Sequence, residues 1–491
     1  MTFMPQTDSA TSTSPTSSPP SARSWAVVAT ACAGQFLVVL DVSVVNVALP
    51  SMRTDLGLSE VGLQWVLNAY AIAFAGFMLF GGRASDLFGR KAMFLLGLGL
   101  FTAASAVGGV APEGAYLIGA RAVQGLGAAV LAPATLTLVT EAVPAGAART
   151  RAIGTWTAVG AAGGAAGGFV GGLLVDLLSW RWVLLINIPV GVLVLVGALL
   201  WLRESRPGTH RRLDLPGAVL VTAGLAVLAY GIVQTEQAGW TAPATLLPLL
   251  GGLALLGAFV AVEARTAAPL MPLKIFRNRA VTAANTAILL CGSSSFGMWF
   301  FMTNYAQSVL GYTPLQAGLA LVPSSLSVIL GSKLAPRLMP TVGSRNLAVL
   351  GALIAAAGFA WQSTLTADGT FLGTILGPGI LMMGGIGLAT TPLAALATSS
   401  ASPSDAGLVS GLVNTSRTMG GALGLAILST VAAAATPAVA DSAVLGTPDG
   451  SSLVPGYATA FRVSAAVLIG AAALMYFWLP KGQGGPERPA A

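Results

Sequence analysis

The chain has 491 residues, of which 55% are hydrophobic and only 8% carry a charge. Soluble domains usually contain about 25% charged residues, so 24 basic and 17 acidic side chains are too few to solvate a globular protein of this length. The composition excludes a water-soluble enzyme, a nucleic-acid-binding protein and a disordered chain, and it indicates a membrane protein.

Fourteen long apolar segments follow a Ser-, Thr- and Pro-rich tail over residues 1–22. Each approaches the ~20 residues that a helix needs to cross ~30 Å of hydrocarbon. Because the apolar runs are continuous rather than alternating, we predict helices, and therefore an all-α polytopic membrane protein with 14 transmembrane helices. The predicted spans cover residues 25–48, 61–81, 92–111, 114–140, 152–175, 181–202, 213–233, 243–263, 280–307, 314–335, 346–364, 371–397, 406–433 and 457–479.

The basic residues between these spans are distributed unequally between the two sides of the membrane. Nineteen Lys and Arg residues fall on one side, two on the other, and Arg121, Arg417 and Arg462 lie within spans. The positive-inside rule therefore places both termini in the cytoplasm. The abundance of Ala, Gly and Arg is typical of a GC-rich bacterium, so we expect a multi-pass protein of the bacterial plasma (inner) membrane.

Asp41 in span 1 is the acidic residue that lies deepest within a predicted span. Span 1 runs outward and span 4 returns, so Asp41 and Arg121 both lie roughly 10 Å below the outer boundary at 1.5 Å per residue. They can pair if the two helices adjoin, with Gln124 one turn away. One interpretation is a carboxyl group that is hydrogen-bonded for structure. The other is a protonation site, because ionisable groups inside a membrane are costly and usually functional.

The segment between spans 2 and 3 combines glycine with charge. It contains Gly82, Asp86, Gly89, Arg90 and Lys91. One interpretation is a turn with positive charges on the cytoplasmic side. The other is a conformational gate, in which Asp86 pairs with Arg90 or with a neighbouring helix end in one of two conformations. We expect Gly82 and Gly89 to permit a tight loop backbone.

Two internal repeats relate span n to span n+8. A degenerate copy of the 82–91 segment occupies 331–345 between spans 10 and 11, and the pattern Gly-Gly-x-x-Gly at 167–171 in span 5 recurs at 420–424 in span 13. Such repeats are typical of secondary transporters. The offset predicts two six-helix bundles with two inserted helices between them. The predicted organisation is a disordered cytoplasmic tail (1–22), an N-terminal bundle (23–203), inserted helices 7 and 8 with basic loops (204–275), a C-terminal bundle (276–480) and a cytoplasmic tail (481–491).

The later spans offer one further charge and several polar or aromatic residues. Arg417, in the middle of span 13, has Asn414 one turn away and no evident acidic partner, and we interpret it as structural. Seven residues are candidates to line an amphipathic substrate pocket, or alternatively to face lipid and the membrane interface: Asn46, Trp65, Tyr70, Trp299, Asn304, Tyr305 and Gln307. A single deep acid favours monovalent cationic, neutral or zwitterionic lipophilic substrates.

These motifs resemble the major facilitator superfamily, and within it the fourteen-span drug:proton antiporters. The 82–91 segment is similar to the family's loop 2–3 motif, residues 40–50 to the helix 1 motif, and Arg121-x-x-Gln124-Gly125 to the helix 4 motif. The family's antiporter motif in helix 5 matches at Gly154, Gly163, Gly167, Gly171 and Gly172, whereas Gly168 replaces its Pro. The resemblance extends over essentially the whole chain after residue 24.

The resemblance implies an exporter of lipophilic drugs or antibiotics that works by alternating access, with proton coupling at Asp41, Arg121 and Gln124. It implies a transporter rather than an enzyme, driven by the proton gradient with no cofactor or metal. The expected partners are protons, a small lipophilic substrate and the lipid bilayer, with no nucleic acid, and we expect a monomer. Two alternatives remain: a proton symporter that imports a metabolite, and a membrane-embedded enzyme. The enzyme is disfavoured because the sole histidine, His210, lies in a loop and the sequence contains no P-loop or metal-ligand spacing.

Overall fold

The computed structural model describes residues 21–144, 147–205, 214–266, 269–400, 406–436 and 450–480. Residues 1–20 and 481–491 of the predicted tails, together with His210, lie outside the described residues.

The described residues form helices and no strands, and fourteen spans are long and apolar enough to cross a membrane, as predicted. Two short helices, α6 and α7, together make the sixth span, so α8 to α15 correspond to spans 7 to 14. The helices are α1 (Ala22–Leu56), α2 (Glu60–Phe88), α3 (Arg90–Gly109), α4 (Gly114–Ala142), α5 (Ala147–Leu177), α6 (Trp182–Leu185), α7 (Asn187–Trp201), α8 (Leu215–Ala238), α9 (Pro243–Arg265), α10 (Arg279–Asn304), α11 (Pro314–Val342), α12 (Ser344–Gln362), α13 (Gly377–Ser399), α14 (Ala406–Ala435) and α15 (Val454–Trp478).

Local sequence signals define several helix ends. Ser59 caps α2 by accepting from the backbone of Gly62 at 3.1 Å, and Thr313 begins α11 with a capping box completed by Gln316. Gly57 ends α1 in the left-handed conformation at φ +62°, which L side chains rarely adopt. The starts of α2 and α11 lie within one residue of the predicted ones, whereas α1, α2 and α11 continue seven or eight residues beyond their predicted ends.

The helix contacts repeat with the predicted offset of eight spans. In the first half α1 packs against α4, α5 and α7, while α4 also packs against α2 and α3. In the second half the equivalent helix α10 packs against α13, α14 and α15, while α13 also packs against α11 and α12. The fold is therefore two six-helix bundles with α8 and α9 inserted between them.

Close helix packing explains the high glycine content. A Cβ atom added at Gly127 of α4 would lie 2.6 Å from the Phe101 backbone nitrogen of α3, and one at Gly97 would lie 2.7 Å from that of Leu131. Lipid provides no hydrophobic force between helices, so close backbone approach through small residues stabilises the bundle by van der Waals contact.

The most extensive contacts between the halves join α5 with α11 and α2 with α14, and α1 also contacts α10 and α11. The inserted helices pack against each other, and α8 also covers α2 and α14. Because the described residues form fourteen spans, α1 begins and α15 ends on the same side, which we call the termini side; there Arg279, at the start of α10, donates to the backbone oxygen of Trp478 at 2.8 Å.

Candidate functional site

The deepest polar contact of the first bundle is an ion pair between Asp41 of α1 and Arg121 of α4. The Nη1 atom of Arg121 donates to Oδ2 of Asp41 at 2.6 Å. The two side chains are 0% and 1% exposed, respectively. Because α1 packs directly against α4, the equal depths estimated from the sequence bring the two charges into contact.

The second carboxylate oxygen of Asp41 accepts from two amides. Gln124 Nε2 donates to Oδ1 at 2.7 Å, and Asn187 Nδ2 donates to the same oxygen at 2.8 Å. Both amides also lie within hydrogen-bond distance of the hydroxyl of Ser105, at 2.6 and 3.2 Å. Four helices, α1, α3, α4 and α7, therefore converge on one carboxylate.

Sequence reasoning missed Asn187 and Ser105 as members of this site. Asn187 begins α7 directly after the break with α6, a position that the sequence analysis placed inside one continuous span at 181–202. The available signal was the Asn-Ile-Pro sequence at 187–189, since a Pro at the start of a helix is typical of a break within a span. Ser105 lies among apolar residues of α3 without a motif of its own.

Arg121 has further contacts that do not depend on Asp41. Its Nε donates to the backbone oxygen of Val66 at 3.2 Å, and its Nη1 donates to Oε1 of Gln124 at 2.7 Å. The guanidinium carbon also lies 4.3 Å from the centre of the Tyr70 ring, a cation–π distance. Arg121 therefore has three contacts that do not involve Asp41.

The geometry defines what the site can do chemically. The carboxylate oxygens accept three hydrogen bonds from side chains, all within a region that is closed to solvent. The carboxylate of Asp41 is fully buried and already paired, so solvent can reach it only if the surrounding helices move. A buried carboxylate whose ion pair opens and closes with helix movement can exchange protons between the two sides of a membrane.

The connection between α2 and α3 is shorter than the sequence analysis expected. The expected loop at Gly82 is wrong: α2 continues through Gly82 to Phe88, and a Cβ atom there would meet only Pro133 at 3.8 Å. The chain turns at Gly89 alone, with φ +106°. The reason is that Arg90 already begins α3, so one glycine makes the whole turn.

The charges of this turn connect α3 to α4 and α7. Arg90 forms an ion pair with Glu141 at the end of α4. Glu204, just after α7, accepts from the backbone nitrogens of Lys91 and Ala92 at 3.3 and 3.1 Å, and so caps α3. In return Lys91 Nζ donates to the backbone oxygens of Leu202 and Leu199, at 2.9 and 3.3 Å. The side chain of Asp86 lies outside the described residues.

The glycine-rich face of α5 contacts two different helices. Gly163, Gly167 and Gly171 pack against α1, where a Cβ atom at Gly171 would lie 3.0 Å from Cα of Val44. Gly168 and Gly172 instead face α11 of the other bundle: a Cβ atom at Gly168 would lie 2.9 Å from the oxygen of Gly318, and one at Gly172 would lie 2.5 Å from Cα of Leu315. Gly154 is exposed with no heavy atom nearby, so its position does not require glycine.

Of the seven predicted pocket residues, Tyr70, Asn304 and Tyr305 are buried, whereas Asn46, Trp65, Trp299 and Gln307 are half-buried. Tyr70 lies beneath Arg121, and Asn304 and Tyr305 are buried in the second bundle, where the Tyr305 hydroxyl donates to the oxygen of Thr366 at 2.7 Å. Trp299 packs against a hydrophobic core that includes residues of both bundles, and Trp65 packs against a smaller cluster of α2, α8 and α14. Asn46 donates to the backbone oxygen of Val42 within its own helix. Gln307 bridges the two bundles by donating to the oxygen of Val47 at 2.9 Å. The side chains of these seven residues point in different directions, which the amino-acid composition does not reveal.

Comparison with known proteins gives the same fold and family. Residues 31–425 match the family model of the Major Facilitator Superfamily. The chain is 50% identical to the cephamycin export protein CmcT of Amycolatopsis lactamdurans over 410 residues, which cover 83% of this chain and 84% of that protein. It is 39% identical to the puromycin resistance protein pur8 of Streptomyces alboniger over 463 residues, or 93% and 92% of the two chains.

A solved structure of a bacterial homologue of the human lysosomal transporter Spinster, inward-facing and unoccupied, superposes with a TM-score of 0.67 at 18% identity. The match covers 94% of this chain and 97% of that one, which supports the shared fold alone. The repeated bundles, the buried ion pair and these matches agree: the chain belongs to the Major Facilitator Superfamily and is a multi-pass secondary transporter rather than an enzyme.

Proposed function

We propose that this protein exports lipophilic antibiotics across the bacterial plasma membrane in exchange for protons. The observation that supports the proposal best is the buried Asp41–Arg121 pair, in a chain that is 50% identical to a cephamycin exporter. The pair supplies a proton-binding group within the membrane, and the relatives supply the class of compound.

The direction of transport in this proposal follows the export and resistance proteins among the relatives. The basic residues between spans favour a cytoplasmic location for the termini side. The bundles meet at the opposite side, where Gly168 faces Gly318 and the backbone nitrogen of Leu315 donates to Asp176 at 3.2 Å. The bundles also approach each other toward the termini side, where a Cβ atom at Gly411 of α14 would lie 2.9 Å from Leu79 of α2.

The cycle then couples two conformations to two ligands. In the conformation of this structure Asp41 is ion-paired with Arg121. Movement of the bundles opens the pair and exposes Asp41 to the acidic exterior, where it takes up a proton as the substrate leaves. Return to the first conformation restores the pair and releases the proton inward. Substrate and proton favour different conformations, and each therefore promotes release of the other.

Transport by purified protein in liposomes tests the proposal. Vesicles that contain the protein are given a pH gradient, and movement of a cephamycin and of puromycin is followed. We expect each compound to move toward the acidic compartment, and to stop when an ionophore collapses the pH gradient. The proposal fails if neither compound moves, or if movement is the same without the gradient.

A further inference from the structure

Arg417 of α14 is a charged side chain near the middle of the membrane. It lies well inside the helix that runs from Ala406 to Ala435. Arg417 is exposed, although its neighbours Thr415, Ser416 and Thr418 on the same helix are buried. Its exposed surface therefore faces a space inside the molecule.

The packing of α14 identifies this space as the one between the two bundles. The helix contacts α10 of its own bundle, and the backbone oxygen of Arg417 packs against Gly292 there. It contacts α2 of the other bundle, and α8 covers it further along, where Thr430 donates to the oxygen of Ile232 at 3.3 Å. With those neighbours, an exposed side chain in the interior faces the region where the bundles meet rather than lipid.

Arg417 is part of a polar stripe along α14. Ser410, Asn414 and Arg417 are spaced four and three residues apart and therefore share one helix face. Ser410 and Arg417 are exposed and Asn414 is half-buried, whereas the flanking Thr415 and Ser416 are buried. The stripe lines the internal space with hydrogen-bonding groups.

The guanidinium of Arg417 has most of its donors available. Its Nη2 donates to Oδ1 of Asn414 at 3.1 Å, and no carboxylate of the described residues lies within ion-pair distance. A guanidinium carries five N–H donors. Arg121, by contrast, uses its donors on a carboxylate, an amide and a backbone oxygen. A charge inside a membrane is costly and is retained where it has a function.

We infer that Arg417, positioned by Asn414, binds a carboxylate of the transported substrate, and that the preferred substrates are therefore lipophilic organic acids. The inference rests on the proposed export function and names its substrate class. A carboxylate accepts two parallel N–H bonds from a guanidinium, a geometry that lysine does not provide. The expectation of cationic, neutral or zwitterionic substrates counted the deep acid Asp41, but Arg121 neutralises that acid, and Arg417 is the charge left available.

An anionic substrate has an electrical consequence. Export of a monoanion in exchange for one proton moves two charges in the direction that a negative interior favours, whereas a neutral ester moves one. At 100 mV each charge contributes roughly 50-fold to the attainable substrate gradient, so the limit is about 2,500-fold for the acid and about 50-fold for the ester.

The test compares an acid with its ester in proteoliposomes. The probes are cefoxitin, a cephamycin with one carboxylate, and its methyl ester. The half-saturating concentration of each probe is measured for the wild type, Arg417→Gln and Arg417→Lys. The control is Arg462→Gln, which changes another Arg within a span. We expect the wild type to prefer the acid by at least about tenfold. Arg417→Gln loses the preference, Arg417→Lys keeps part of it, and Arg462→Gln retains it.

The outcomes separate this inference from the proposed function. Equal half-saturating concentrations of the acid and the ester in the wild type would overturn the inference. A preference for the acid that survives in Arg417→Gln would also overturn it. If that variant fails to fold, the wild-type comparison alone still tests the inference. Puromycin is the reference compound: if it moves with the pH gradient while the acid gains nothing over its ester, only the Arg417 inference fails. If neither cefoxitin nor puromycin moves, the proposed function fails together with the Arg417 inference.

Discussion

Replacement of Asp41 by Asn removes the buried negative charge while keeping the size of the side chain. The amide oxygen of the new side chain still accepts from Gln124 and Asn187, but its NH2 group then faces the Nη1 donor of Arg121. Loss of one partner of a buried ion pair costs about 3–5 kcal/mol. Because Arg121 keeps its contacts with Gln124 and Val66, we expect the lower end of this range, about 3 kcal/mol, in the free energy of unfolding.

The same substitution separates exchange from coupling. The amide in the Asp41→Asn variant stays neutral in both conformations, as a protonated Asp41 does, so exchange of labelled for unlabelled puromycin across the membrane continues. The pH gradient no longer drives net accumulation, because the side chain takes up and releases no proton. Puromycin counterflow and gradient-driven uptake, measured on the same vesicles, report the two activities separately.

A matched control is Asp55→Asn. Asp55 also accepts from an arginine at 2.6 Å, that of Arg181, but its side chain is 46% exposed. Exposed pairs contribute roughly 0–1 kcal/mol, so we expect little loss of stability and normal gradient-driven uptake. The reasoning is refuted if Asp41→Asn still accumulates puromycin in proportion to the pH gradient, or if the two variants lose the same stability.

Three further variants test the packing around the site. Gly318→Ala inserts a methyl group against the oxygen of Gly168 where the bundles meet, so we expect slower transport and greater labelling of cysteines placed on that side. The control Gly154→Ala changes an open position and has no effect. Normal transport by Gly318→Ala would contradict this prediction. Glu204→Gln weakens the cap of α3, and we expect a loss of about 1 kcal/mol in denaturant unfolding; unchanged stability would show that the cap is unimportant. Tyr305→Phe removes one hydrogen bond within the second bundle, so we expect a loss of about 1 kcal/mol with the half-saturating puromycin concentration unchanged; a weaker affinity would place Tyr305 in the substrate site after all.

The sequence predicts the spans and the n+8 repeat well, because both depend on long-range regularities. Hydrocarbon thickness sets the span length, and glycine at close helix contacts recurs where the two bundles have equivalent neighbours, as at 167–171 and 420–424. Depth along a helix is equally predictable, since each residue adds a fixed rise. This is why Asp41 and Arg121 could be placed at one level before their contact was known.

Direction around a helix is much harder to predict from one sequence. Tyr305 and Asn304 have the amphipathic character of pocket residues but point into the second bundle, because the packing of neighbouring helices decides which face is buried. Asn187 joins the site only because the sixth span is broken just before it. Arg417 has no acidic partner in the sequence, but its exposure to an internal space is a property of three packed helices.

Proton release on substrate binding tests the central claim most directly. Purified protein in weakly buffered detergent solution is mixed with puromycin or cefoxitin at a series of pH values, and a pH-sensitive dye records the protons released. We predict proton release in the wild type, because the substrate favours the conformation in which Asp41 pairs with Arg121, and no release in Asp41→Asn. Substrate binding without proton release, or equal release by Asp41→Asn, would contradict it.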